Sequence, residues 1–207
     1  MSIEKAYNIW ASQYDSNLNL TRDLDKKCTI ETLKNLDFKN VLELGCGTGK
    51  NTEWLVNKAE RIIGLDFSQE MLHKAKAKIF DKRVIFKKAD LTKYWEIENN
   101  FVDLITASLT LEHIKNLGHI FSQANLKLKK NGLFFISELH PFKQYSGSKA
   151  SYETENGSKE LEVYIHDISE YIDTAKNNGF QLIVLKEWFD ESSENEIPRL
   201  ISFVFKK

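Results

Sequence analysis

Cysteine is scarce in this chain of 207 residues: Cys28 and Cys46 are the only two, and they stand far apart. That excludes a disulfide framework and argues against a zinc cluster; both read as reduced thiols of a cytoplasmic protein. Histidines and acids lack the spacing of metal ligands, so no metal site is expected. Net charge is almost absent, −1 with 29 Lys and Arg against 30 Asp and Glu. Nothing global therefore draws the chain toward a polyanion, and a nucleic-acid partner is not expected. No apolar run approaches the ~20 residues that span a bilayer, which removes a membrane span. The opening Met1-Ser2-Ile3-Glu4-Lys5 lacks the apolar centre of a signal peptide. Internal repeats and low-complexity tracts are missing as well. The length suits one α/β domain with a modest lid, as a monomer or homodimer, with a core large enough to need no covalent staples.

What is present is an alternation of short apolar runs with amphipathic stretches, the pattern of βαβ units and a parallel sheet. Helices are predicted over about 3–15 and 22–36. A first strand follows over 40–44, a helix over 51–58, a second strand over 61–66, and a helix capped by Ser68 that ends near 80. Further strands are predicted at 84–86 and 102–106. A helix over 117–128 leads to a turn at Asn131-Gly132 and a strand over 133–137. Residues 140–165 break the rhythm. Their Asn156-Gly157 pair, flanked by 151–155 and 159–163, is a hairpin signal because it accepts the positive φ angles of a tight turn. A helix over 168–177 and two strands at 180–188 and 199–205 close the chain. No helix fits between those two strands, so they should pair antiparallel.

The densest chemical signal is Glu43-Leu44-Gly45-Cys46-Gly47-Thr48-Gly49, directly after the first strand. Glycines there let the backbone approach a ligand and turn sharply into a helix. Asp66 ends the next strand about twenty residues later, where an acid can hold ribose hydroxyls. Dinucleotide enzymes share that arrangement, but their third glycine would fall at position 50, which is Lys. Glu43, just upstream, would repel a pyrophosphate and suits an amino-acid ammonium.

From about Tyr14 to the C-terminus these residues resemble the class I S-adenosylmethionine-dependent methyltransferases of the small-molecule type, near the ubiquinone-biosynthesis enzymes. The resemblance implies a doubly wound, Rossmann-like sheet of seven strands in the order 3-2-1-4-5-7-6 with strand 7 antiparallel. It is covered by an N-terminal helical lid (1–36) and an insertion (140–165), all in one domain. It implies that Glu43, Gly45, Cys46, Gly47 and Gly49 wrap the methionine moiety of S-adenosylmethionine. Asp66 then holds the ribose, Phe67 and Met71 sandwich the adenine, and Asp90 with the amide of Leu91 meets the adenine edge. Ala107 and Ser108 lie beside the reactive methyl, and Tyr14 touches the carboxylate end. Phe67 and Met71 also suit ordinary core positions, Asp90 a turn, and Cys46 a tight loop where only a small residue fits.

Methyl transfer needs placement and exclusion of water more than acid–base help, so catalytic residues are hard to read. A base is required only where the acceptor must lose a proton. His140, after the fifth strand, is the first candidate because its pKa suits proton uptake near neutrality. His113, in Glu112-His113 after the fourth strand, is the second. Glu138 is a candidate to orient His140 or meet a substrate cation. His166 stands at the end of the insertion, and Trp10, Tyr145 and Tyr152 are candidate pocket walls. The small-molecule reading has rivals. Ser108-Leu109-Thr110-Leu111 lacks the prolines of DNA amino-methyltransferases, and the Lys-rich stretch 74–88 suits RNA contact or simply a solvated face. A protein-modifying enzyme and a scaffold that binds cofactor without turnover remain alternatives.

Overall fold

The computed structural model of the chain describes residues 2–154, 157–190 and 197–207. Strands β1 (Asn40–Leu44), β2 (Arg61–Asp66), β3 (Val84–Lys88), β4 (Val102–Ser108) and β5 (Leu128–Leu139) are joined by parallel pairing. Alternate residues of each run face opposite sides, and both sides are apolar, as a parallel sheet covered twice requires. Leu42, Ile105, Phe134 and Ile136 pack on one side, with Phe121 of α5 (Leu117–Lys127) and Tyr171 and Ala175 of α7 (Ile168–Asn177). Val41, Ile62, Leu104 and Phe135 pack on the other, with Cys28 and Leu33 of α2 (Leu20–Leu33) and Leu55 of α3 (Thr52–Leu55).

The chain closes with β8 (Gln181–Trp188) and β9 (Leu200–Lys206). The last strand inserts between β5 and β8 and runs antiparallel to both. The sheet order is β3-β2-β1-β4-β5-β9-β8. Two strands, β6 (Ser151–Thr154) and β7 (Gly157–Glu160), form a separate hairpin and take no part in the sheet. Counting the sheet's own strands, this is the expected 3-2-1-4-5-7-6 order. The order reverses between β1 and β4, which leaves a crevice at their carboxyl ends.

The expected elements are all present, with boundaries moved by local chemistry. Asn19 caps α2 by accepting from Arg22 N, so the helix starts earlier than expected. Ser68 caps α4 (Gln69–Lys78) as anticipated. Asn131-Gly132 is not a turn before β5. The strand begins at Leu128 and runs through Asn131, whose φ of 66° makes a local irregularity. A short helix, α6 (Pro141–Tyr145), occupies the start of the insertion. Proline at a first helical position costs no hydrogen bond, and the sequence reading missed this start. The hairpin pairs Thr154 with Gly157; its expected turn includes Asn156, which lies outside the described residues.

α1 (Ile3–Trp10) borders the crevice with Ile3, Glu4 and Tyr7. Its Ala6 and Trp10 pack against Leu161 of the insertion, so the two covering segments touch one another.

Candidate functional site

The carboxyl ends of β1 to β4 open into a cavity of about 500 Å3 beneath α1. A narrow recess of about 30 Å3 shares Tyr14, Gly45, Gly47, Ser108 and Leu109 with it and reaches back to Glu43 and Cys46.

Backbone makes much of the wall. Gly45 and Gly47 have φ of 65° and 52°. That conformation is costly for residues with a Cβ. A Cβ on Gly45 would sit 2.2 Å from Thr110 Oγ1, whereas one on Gly47 would meet nothing within 4 Å and would project into open space. Gly49 faces elsewhere: its Cβ would lie 2.7 Å from Ile79 Cδ1, so this glycine lets α4 pack close and does not line the cavity. Cys46 lines the recess as a buried side chain, and burial pushes its thiol pKa well up.

Asp66 is buried at the end of β2. Its Oδ2 accepts from Gly47 N and its Oδ1 from Ser68 N, each at 2.8 Å. Burial raises its pKa to about 6 against the pull of those amides. Each carboxylate oxygen has a second lone pair for a ligand hydroxyl. Phe67, Met71, Asp90 and Leu91 line the cavity beside it. Asp90 is exposed, and its Oδ1 is taken by the amide and hydroxyl of Thr92.

Glu43 lies at the closed end. Thr52 Oγ1 donates to its Oε2 at 2.5 Å, and burial raises its pKa to about 7. Among the described residues no cation forms an ion pair with it. Lys50, whose charge acts on Glu43, is committed to Asp25 Oδ2 at 2.8 Å and to the Arg22 carbonyl at 2.7 Å. Asp25 was not foreseen as a site residue. It is fully buried, lines the recess, and its Oδ1 has no partner among the described residues. Only its distance from the glycine loop in sequence hid it. Tyr14 lines both spaces and is held by Arg22, which donates to the Tyr14 carbonyl. Thr48 Oγ1 donates to Asp15 at 2.7 Å and ties this segment to the glycine loop.

Ser108 lines the cavity, and its buried Oγ has no partner among the described residues. Ala107 is buried in the core behind it and is not part of the wall. On the lid side, Tyr7, His113, Ile114 and Glu162 complete the cavity. Tyr7 Oη donates to His113 Nε2 at 2.8 Å, and His113 Nδ1 lies 3.1 Å from the Glu162 carbonyl.

His140 is elsewhere. It is fully buried and forms the N-cap of α6: its Nδ1 accepts from Phe142 N at 3.2 Å, and its Nε2 lies 3.2 Å from Glu187 Oε1 on β8. It reaches neither the cavity nor the recess. The following proline fixes a helix start there, and a cap residue turns its side chain back on its own helix. Glu138 is also buried away from the wall. Its Oε1 accepts from Thr110 N at 2.9 Å and Leu111 N at 2.8 Å, which anchors the turn that carries His113. His166 bridges the Ile114 carbonyl and Glu170 outside the cavity. Trp10 packs between Tyr7 and Tyr14. Tyr145 donates to Asp167, and the side chain of Tyr152 lies outside the described residues.

Residues 42–136 match a family described as a methyltransferase domain. An uncharacterized protein of Haemophilus influenzae is 31% identical over 60% of this chain and 51% of its own length. A malonyl-[acyl-carrier protein] O-methyltransferase of Ilyobacter polytropus is 30% identical over 65% of this chain and 52% of its own. The chain thus spans about half the length of these curated relatives. Among solved structures, a Listeria monocytogenes protein titled a putative S-adenosylmethionine-dependent methyltransferase superposes with a TM-score of 0.77. It is 24% identical and covers 90% of this chain and 99% of its own, a likeness of fold.

Proposed function

We propose, on the premise that this chain belongs to the methyltransferase-domain family over residues 42–136, that it transfers a methyl group from S-adenosylmethionine to a small organic acceptor. The observation that carries this reading is the convergence of Glu43, Gly47, Asp66, Asp90 and Ser108 on one connected wall. The donor set suits the group. A buried carboxylate with no cation of its own, Glu43, fits an ammonium. Asp66 fits a ribose diol, and Phe67 and Met71 on the cavity wall offer an aromatic ring and a soft thioether to a flat base. Gly47 leaves room where any side chain would intrude.

S-adenosylmethionine supplies an electrophilic methyl on a sulfonium and departs as the neutral thioether S-adenosylhomocysteine. The protein's residues then have three tasks. Glu43, Asp66 and the glycine loop hold the donor at fixed places, and such positioning supplies rate by converting an encounter into an intramolecular step. α1 and the insertion cover the crevice and exclude water, which strengthens every charge interaction inside. His113, and not His140, stands where a proton leaving an acceptor can be received, because it alone of the two lines the cavity. A small organic acceptor is favoured by a roofed cavity with mixed walls, Ile114 and Phe67 among polar groups. The Lys-rich stretch offers weaker support for RNA: Lys78 pairs with Asp15, Arg83 with Asp81 and Lys88 with Glu4.

Calorimetric titration with S-adenosylhomocysteine, with NAD in parallel, tests the proposal. One-site binding of the first and none of the second is expected. Binding of NAD alone would overturn it.

A further inference from the structure

The charge on the cavity walls is one-sided. Six acids line the cavity and its recess: Glu4, Asp25, Glu43, Asp66, Asp90 and Glu162. Among the described residues the only lysines facing them are Lys50 and Lys88, and no arginine lines either space. Each lysine is already paired with an acid, Lys50 with Asp25 at 2.8 Å and Lys88 with Glu4 at 2.7 Å. Walls of one sign around a cleft focus the field and draw in ligands of the other sign. That field reaches the roof: burial, then Tyr14, Glu112, Asp66 and Glu138, push the Tyr7 phenol well up. The donor of the proposed reaction answers little of it. Its sulfonium and ammonium, less its carboxylate, leave one positive charge, and Glu43, Asp66 and Asp90 lie at the donor's own end of the wall.

Glu162 lies at the other end. Its carbonyl is fixed 3.1 Å from His113 Nδ1, and the residue lines the cavity from the insertion. It is exposed, and among the described residues its carboxylate has neither an ion pair nor a hydrogen bond. Tyr7, which packs with its centroid 5.4 Å from that of His113, lines the same space, as does Tyr14. An unpaired carboxylate beside electron-rich rings is the setting in which a cationic nitrogen is held.

We propose that the acceptor is a small amine, recognised through a positively charged nitrogen that pairs with the Glu162 carboxylate beside the Tyr7 ring. This rests on the methyl-transfer reading above and concerns recognition, whichever atom of the acceptor takes the methyl. The same walls turn away an acceptor that bears a carboxylate or a phosphate. Neither lysine is free to answer such a group, and its charge would add to an excess of acids.

The test uses the full chain saturated with S-adenosylhomocysteine and three probes of similar size: benzylamine, benzyl alcohol and benzoate, which are cationic, neutral and anionic at neutral pH. Affinities are read by NMR titration of each probe. Benzylamine is expected to bind about tenfold more tightly than benzyl alcohol, the joint worth of an exposed ion pair and a cation–π contact, and benzoate more weakly than either. Glu162→Gln should weaken benzylamine by about threefold or more and leave benzyl alcohol unchanged. Glu162→Asp, which keeps the charge, should bind benzylamine more tightly than the Gln variant does. Equal affinities for benzylamine and benzyl alcohol, benzoate binding as tightly as benzylamine, or the same fall for both neutral and cationic probes in Glu162→Gln would overturn the proposal. So would benzylamine that binds only the chain free of S-adenosylhomocysteine, because it would then occupy the donor's ammonium place at Glu43. If the wild type itself fails to bind S-adenosylhomocysteine, the methyl-transfer reading falls, and this inference with it.

Discussion

The floor and the roof of the cavity are built by different means. The floor comes from chain segments that leave adjacent parallel strands: Glu43 to Gly47 after β1, Asp66 after β2, Asp90 after β3 and Ser108 after β4. Its key contacts are backbone amides and carboxylates at fixed spacing, such as Asp66 between Gly47 N and Ser68 N. The roof comes from side chains far apart in sequence. Tyr7, His113 and Glu162 meet although 106 and 49 positions separate them from one another. A floor made of topology is repeated wherever the topology is repeated. A roof made of three unrelated segments is free to differ, so under the proposed function acceptor choice belongs to it.

The sharpest break of this comparison is at Gly45. Gly45→Ala puts a methyl group 2.2 Å from Thr110 Oγ1 at a φ of 65°. Both the glycine loop and the turn bearing His113 must then shift. Affinity for S-adenosylhomocysteine should fall by about a hundredfold or more by calorimetry, equivalent to roughly 3 kcal/mol. An affinity within threefold of the wild type would show that the loop does not hold the ligand.

Glu43→Gln sharpens the floor's electrostatics. Burial holds the Glu43 pKa near 7. Below that pH the carboxyl is protonated and neutral, above it ionised. Affinity for a ligand ammonium should therefore rise as pH goes from about 6 to about 8, with protons released on binding near pH 6.5. The sign for stability is opposite: the ligand-free chain loses Glu43's contribution as pH rises from 4.5 through about 7, because burial favours the neutral form. The Gln variant should bind about tenfold or more weakly at pH 8 and lose this part of the pH slope. An unchanged slope would remove Glu43 from the ammonium site.

His140→Ala should have the smallest effect on the ligand. His140 caps α6 and faces β8, so its loss should lower stability by about 1–2 kcal/mol, read as the midpoint of urea unfolding. Affinity for S-adenosylhomocysteine should stay within twofold. A large fall in affinity would return His140 to the site.

The sequence made the floor readable because periodicity, glycine spacing and a strand-end acid are local signals. The hairpin and the antiparallel pairing of the last two strands followed from local signals as well, while the strand order came from the resemblance to a known family. The site's long-range parts were not readable in that way. Asp25 and Lys50 form an ion pair across 25 positions, and nothing local announces it. His140 looked catalytic because it follows a central strand, yet the proline after it makes it a helix cap. Tyr7 sits in an amphipathic helix whose face is also an ordinary packing face. Gly49 had the sequence look of a ligand glycine but serves helix packing. For Asp25, Tyr7 and Gly49 the deciding contact is tertiary, and residue order does not encode which distant side chain arrives; for His140 the signal was local, a proline at the first helical position.

A crystal structure of the chain grown with S-adenosylhomocysteine decides whether the floor holds the donor. The expected result is one ligand across the floor, its amino group against Glu43, its ribose on Asp66 and its adenine between Phe67 and Met71, with space left beneath His113 and Tyr7. Ligand bound outside this crevice, or lying across His113 with no space left for an acceptor, would contradict the account.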